Sequence, residues 1–188
     1  MALWRKLLIG SSSGAATIAA LAFGLDYADR AYPPPVAVAE TVSKEVLDRD
    51  GRLLRAFATS EGHWRLKTTA TDVDPQFLRM LVAYEDRRFE EHSGIDPLAL
   101  LRAAGQFVTN GRIVSGASTL SMQVARLIEP RENRSMLAKL RQMARAIQLE
   151  RRLSKAEILD LYLTLAPYGG NLEGVRAASL AWFGKEPK

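Results

Sequence analysis

A carboxylate set into an apolar helical stripe constrains this chain more than any other feature. Asp74 is a good N-cap and Pro75 suits a first helical turn, so a helix should open there. Leu78, Leu81, Val82 and Phe89 recur at spacings of three, four and seven, which predicts one buried face. Glu85 falls inside that stripe, seven residues from Leu78 and four from both Leu81 and Phe89. A carboxylate on such a face is costly to desolvate unless a partner or a cleft receives it. Burial also raises its pKa toward the range of a general base at neutral pH. Two readings stay open: a structural carboxylate paired with Arg87, Arg88 or a distant arginine, and a catalytic base. The stripe extends the helix through Phe89, a packing residue, to His92 in the last turn, with Gly94 as the C-cap. His92 there reads as a structural hydrogen-bonding group, and Asp86 either orients its neighbours or forms a salt bridge.

A chain of 188 residues makes about one domain plus a tail. There are no cysteines and only His63 and His92, so neither a disulfide framework nor a His/Cys metal site is expected. The net charge of +5 calls for an anionic partner: nucleic acid, a membrane surface or a phosphorylated ligand.

Leu7 to Leu25 carries no charge and follows Arg5 and Lys6, a run long enough to cross a bilayer. A signal-anchor is the preferred reading, leaving 1–6 cytoplasmic and everything after Asp26 exported. The rivals are a cleaved signal peptide, with Ala20-Leu21-Ala22 or Ala37-Val38-Ala39 as small-residue sites, and a buried helix. Residues 26–44 form a linker stiffened by Tyr32-Pro33-Pro34-Pro35. Val46 to Phe57, with Asp50-Gly51 at its centre, reads as a hairpin. Asp96-Pro97 restarts a helix to about Thr109, which Asn110-Gly111 ends. Gly111 to Ser118 looks like a mobile loop. Ser118 can cap the next helix, where Thr119, Gln123 and Arg126 share one face and Leu120, Val124, Leu127 and Ile128 the other. Ser135 caps a helix to Leu153, with Leu137, Leu140, Met143, Ala144 and Ile147 on its apolar side. Arg131, Arg134, Arg141, Arg145, Arg151 and Arg152 make that region basic, but the apolar stripe and the lack of stacking aromatics argue against nucleic acid. Ser154-Lys155-Ala156-Glu157 is a capping box.

Several stretches, in order, resemble the signatures of the peptidoglycan glycosyltransferases, glycosyltransferase family 51 of class A penicillin-binding proteins. Glu85-Asp86-Arg87-Arg88-Phe89-Glu90-Glu91-His92-Ser93-Gly94 resembles the first. Gly116-Ala117-Ser118-Thr119-Leu120-Ser121-Met122-Gln123, with Arg126 in place of a lysine, resembles the second. The third, Arg-Lys-x-x-Glu, falls on Ala138, Lys139 and Gln142 when registered on Gln148-Leu149-Glu150. Its leading arginine is lost and its glutamate is a glutamine, a departure associated with the penicillin-binding protein 1C branch. Lys155 and Ile158-Leu159-Asp160-Leu161-Tyr162-Leu163-Thr164 resemble the fourth, with Asp160 and Thr164 substituted. Gly174-Val175, Ala177-Ala178 and Phe183-Gly184-Lys185 match the fifth.

The resemblance implies a mainly α, lysozyme-like domain over 45–188, with a small β-hairpin, one preceding transmembrane helix and a C-terminal end cut short. It implies transfer between lipid-linked disaccharide-peptides at the outer, periplasmic face of the bacterial inner membrane. Catalytic positions would be Glu85, as the base, and Gln142. Substrate binding would fall to Asp86, Ser118, Thr119, Gln123, Arg126, Lys139 and Lys155. Arg126, Lys139 and either Arg112 or Lys155 would supply charge to the departing pyrophosphate. Phe89, His92, Gly94, Gly116, Tyr162 and Gly184 would be structural. The family associates the glutamate replaced by Gln142 with pyrophosphate or a divalent metal. No cofactor is required from sequence, and Mg²⁺ or Mn²⁺ is an open option that glutamine would serve weakly. Partners would be the lipid-linked precursor, the membrane and cell-wall synthesis proteins. A precursor-binding module without catalysis and a glycan hydrolase are the alternatives; the latter normally wants a second carboxylate. No Ser-x-x-Lys or Lys-Thr-Gly marks a transpeptidase.

Overall fold

Helices dominate the computed structural model, which describes residues 23–24, 26–27, 29–112, 116–130 and 135–188. The chain divides into two compact units, Met1–Pro33 and Pro34–Lys188. The expected membrane span, 7–25, lies outside the described residues apart from Phe23 and Gly24. Among the described residues, no helix is long and apolar enough to cross a membrane.

The second unit opens with a 3-10 turn, Val36–Glu40, whose Val36 and Ala39 pack against the main core. The hairpin follows as expected, with β1 (Lys44–Leu47) antiparallel to β2 (Leu53–Phe57). Asp48 closes its turn by accepting from the backbone N–H groups of Asp50 and Arg52 at 2.9 and 2.8 Å. A second sheet was not legible in sequence: β3 (Trp64–Arg65) runs parallel to β4 (Leu172–Glu173). Buried Arg65 ties it down, donating to Glu173 at 2.6 Å and to the carbonyls of Val38 and Thr41.

Side-chain caps start the helices. Helix α1 (Pro75–Glu85) begins where Asp74 accepts from Gln76 N–H at 2.6 Å. Helix α2 (Pro97–Asn110) begins at Asp96 and ends on Gly111 in the left-handed region. Helix α3 (Leu120–Ile128) starts one residue later than expected. Thr119 is the N-cap, its Oγ1 accepting from Met122 N–H at 3.1 Å, because Ser118 is engaged by Lys139 instead. Residues 113–115, at the centre of the loop expected to be mobile, lie outside the described residues. Helix α4 (Met136–Arg152) is capped by Ser135, and α5 (Lys155–Leu165) opens with the anticipated capping box of Ser154 and Glu157. Helix α6 (Val175–Phe183) ends on Gly184, also left-handed at φ 65°.

Helix α3 is the centre of the unit, lying against both α4 and α5. Leu120, Val124 and Ile128 are buried with Phe89, Leu149, Ile158, Tyr162 and Leu165 in one cluster. Each large aliphatic or aromatic side chain so buried contributes about 1.5–3 kcal/mol. The apolar side expected for α4 is corrected here. Leu137 and Leu140 are 76% and 58% exposed, Ala144 and Ile147 are also exposed, and Met143 is half-buried. The buried residues of that helix are Ala146, which meets Gly94, and Leu149, which joins the core cluster around α3. The two substituted positions of the fourth motif are structural. Asp160 accepts from Ala70 N–H at 2.7 Å, and Thr164 exchanges hydrogen bonds with the backbone of Thr68.

Candidate active site

Helix α1 ends at Glu85 rather than running on to His92. Asp86 leaves helical geometry at φ −157°, ψ 77°, and its buried carboxylate explains the break. One oxygen accepts from Leu120 N–H at 2.9 Å, and the pair faces His92 Nε2 at 3.0 and 3.1 Å. Leu120 opens α3, so the carboxylate also meets the positive end of a helix dipole. His92 Nδ1 accepts from Gly94 N–H at 3.2 Å, which leaves Nε2 as the donor toward Asp86. His92 therefore sits in the loop after a short 3-10 turn, Phe89–Glu91, and not in a helical turn.

Gly94 is not a C-cap either. Its φ of 95° and its approach to α4 both demand glycine: a Cβ there would lie 2.7 Å from the carbonyl carbon and oxygen of Ala146. Thr119 Oγ1 donates to Gly94 O at 2.6 Å, so this turn, α3 and α4 are locked together.

Onto that frame Glu85 is presented half-buried, its Oε2 accepting from Gln123 Nε2 at 2.8 Å. Tyr162 and Tyr168 stand close enough to feel its charge. Burial, then Glu85, pushes the Tyr162 phenol up to about 12 and raises that of Tyr168. Tyr168 stands outside the motifs and apolar stripes described above. What could have found it is its place between Pro167 and Gly169-Gly170, where a tight turn directs one bulky side chain back onto the core.

Two clefts flank this arrangement. One, about 620 Å³, is lined by Glu85, Asp86, Arg88, Arg102, Gly116 and Ser118. The other, about 630 Å³, lies between α3 and α4 and is lined by Arg126, Lys139, Arg141, Gln142, Arg145 and Glu129. Lys139 Nζ donates to Ser118 Oγ at 2.6 Å and so joins the two walls. Burial, then the neighbouring Arg126 guanidinium, lowers the Lys139 pKa from the ordinary lysine value. Arg126 itself is exposed. Glu129 partly offsets the groove's charge through Arg145 at 2.8 Å.

The structure thus brings together Glu85, Gln123, Tyr162, Ser118, Lys139 and Arg126. It uses other expected ligands differently. Thr119 is buried and spends its hydroxyl on Gly94 and Met122, and Asp86 is committed to His92 and Leu120. Lys155 lines neither cleft. Its ammonium donates to His92 O at 2.6 Å and Glu150 at 2.7 Å, and lies 4.4 Å over the Phe89 ring. Glu150, which served in the sequence only to set a register, also accepts from Ser121 and anchors α4 to α3. Arg112 is exposed and lines neither cleft.

Gln142 Nε2 donates to Met122 O at 2.6 Å. One neutral oxygen is all it can then offer, a poor donor set for a hard divalent cation. Among the described residues, no group of three or more His, Cys, Asp or Glu side chains could hold a metal ion.

Residues 50–188 match the family model for the transglycosylases. The chain belongs to the transglycosylase family. Penicillin-binding protein 1C of Escherichia coli (strain K12) is 48% identical over 160 residues, which cover 85% of this chain and 20% of that protein. Penicillin-binding protein 1A of the same strain is 33% identical over 144 residues, and that of Pseudomonas aeruginosa 35% identical over 144. Each of these two alignments covers 77% of this chain and 17% of the relative. The chain therefore spans about a fifth of the length of the curated relatives it matches. The matched region contains both clefts of the transglycosylase domain and every residue that frames Glu85.

Proposed function

We propose that this transglycosylase domain polymerises peptidoglycan. It joins lipid-linked disaccharide-peptides into glycan strands and releases lipid pyrophosphate. The C4 hydroxyl of an acceptor N-acetylglucosamine attacks C1 of the donor's N-acetylmuramic acid. The hydroxyl proton passes to the Glu85 carboxylate, the new C–O bond forms, and the bond from C1 to the pyrophosphate oxygen breaks with both electrons leaving on oxygen. Such a leaving group needs charge neutralised more than it needs a proton, and Arg126 and Lys139 are the groups for that.

The observation that carries this reading is the pairing of one oriented carboxylate with a cationic wall of half-buried Lys139 and exposed Arg126. Gln123 holds Glu85 on the α3 face that also bears Arg126, three residues on, and Lys139 reaches the adjacent Ser118. A hydrolase would want a second acid. The carboxylate next to it in the chain, Asp86, is committed to His92 and the start of α3.

Action at the outer face of the inner membrane is part of the same proposal. Leu98, Leu101, Phe107 and Val108 on α2 are exposed, as are Leu137 and Leu140 on α4, which suits a lipid-tailed substrate and a bilayer surface. Cell-wall synthesis proteins are the partners that such a reaction would bring near. The test is incubation with lipid-linked disaccharide-peptide in detergent or vesicles. Polymer with released lipid pyrophosphate is expected. Binding without polymer would make the domain a precursor-holding module, and cleavage of finished strands would make it a hydrolase.

A further inference from the structure

The contact at Gln142 is more informative than the substitution itself. A carbonyl oxygen 2.6 Å away can face only the amide NH₂, so this side chain is a donor in its observed pose. Its acceptor, Met122 O, is also the oxygen to which the helical i→i+4 pattern assigns Arg126 N–H. Lys139 and Gln142 are three apart on α4, and Ser118 and Met122 four apart along the start of α3. The two hydrogen bonds, Lys139 to Ser118 and Gln142 to Met122, are consecutive rungs across one groove. Arg145 to Glu129 makes a third at 2.8 Å.

We propose that Gln142 is a positioning residue whose amide clamps α4 to the Met122 carbonyl and so sets the Lys139–Arg126 pair. This deepens the reading given under Proposed function and rests on it for the identity of the anion that the pair receives.

The chemistry makes the amide hard to replace. An ionised glutamate at 142 has no proton to give, so its oxygens and the Met122 carbonyl would repel at this distance. Either the helices part, or the carboxylate swings into the groove lined by Arg126 and Lys139 and offsets their charge. A protonated glutamate could restore the bond. Methionine, of similar length, could not restore it at any pH.

The test compares the parent, Gln142→Glu and Gln142→Met over about pH 5–8, with two readouts. The first is steady-state polymerisation of lipid-linked precursor. The second is binding of a short-chain prenyl pyrophosphate in detergent micelles. Circular dichroism establishes that each variant is folded. At pH 8 both variants should show the donor KM and the prenyl pyrophosphate Kd raised about tenfold, with kcat changed far less. As pH falls, the ratio of Gln142→Glu to parent should recover, while that of Gln142→Met stays flat. If Gln142→Glu matches or exceeds the parent at pH 8, the clamp is wrong. The same holds if kcat falls with KM unchanged. Failure of the functional reading looks different: the parent then makes no polymer, and the pyrophosphate binding series still decides whether Gln142 sets the cationic pair. Should Gln142→Glu not fold, a raised Kd in Gln142→Met supports the clamp and an unchanged one overturns it.

Discussion

Asp86 and Leu120 are 34 residues apart in sequence, and one hydrogen bond of 2.9 Å between them ends one helix and begins another. Glu85 is the last residue before that junction and Gln123 lies in the first turn after it, so the bond also fixes the distance between the carboxylate and its partner. The pair is the reason that an apolar stripe can end in a presented carboxylate.

Asp86→Ala should therefore cost stability more than a surface change would. It leaves the N–H groups of Leu120 and His92 without their buried acceptor, a loss of about 3–5 kcal/mol by analogy with broken buried pairs. Denaturant unfolding measures it. A loss below about 1 kcal/mol would mean that the junction does not depend on this carboxylate.

Gly94→Ala should be comparably severe. The methyl group would meet Ala146 backbone at 2.7 Å in a conformation, φ 95°, that L-residues rarely adopt. Strain and overpacking together suggest about 2–5 kcal/mol. An alanine variant as stable as the parent would show that the turn and α4 are not in contact.

These two positions also show what the sequence could and could not convey. Caps are local: Asp74, Asp96, Ser135 and Ser154 each bond a backbone N–H within three residues, and each was legible as a helix start. The Asp50-Gly51 turn was legible for the same reason. Glu85, Arg126 and Lys139 stood out by motif and spacing. The end of α1 was not legible, because Phe89 keeps the helical spacing while belonging to a separate turn that buries it from another direction. Nor could periodicity tell which of the apolar residues on α4 would be buried, and Leu137 and Leu140 stay exposed among the described residues. Lys155 looked like a phosphate ligand by motif, yet Glu150 lies five residues before it and captures its charge. The two-residue pairing of β3 with β4 joins segments more than a hundred positions apart and has no periodic signal.

The cationic pair has a pH signature. Burial and Arg126 lower the Lys139 pKa, so its charge is lost at a lower pH than an ordinary lysine's. Donor affinity should then weaken on the alkaline side, before the ordinary lysine range is reached. Lys139→Arg should remove that limb, because guanidinium does not titrate there. Stability runs the other way: a depressed folded pKa contributes stability above the unfolded value, which is lost as pH falls through the folded one. An alkaline limb unchanged in Lys139→Arg would assign it to another group.

Arg126→Ala should weaken donor binding and turnover together by about 10²-fold. Added salt should reproduce part of that loss in the parent, and Arg126→Lys should recover most of it. Steady-state kinetics on lipid-linked precursor with unchanged constants for Arg126→Ala would remove Arg126 from the site.

The most direct measurement is polymerisation of lipid-linked disaccharide-peptide by Glu85→Gln beside the parent, with unfolding and precursor binding followed on the same samples. The amide oxygen of the replacement can still accept from Gln123, so the frame should hold. The rate should fall by about 10²–10⁴-fold, with the unfolding midpoint and precursor affinity nearly unchanged. Polymer formed at the parent rate, or a variant that unfolds, would contradict it and return Glu85 to a structural role.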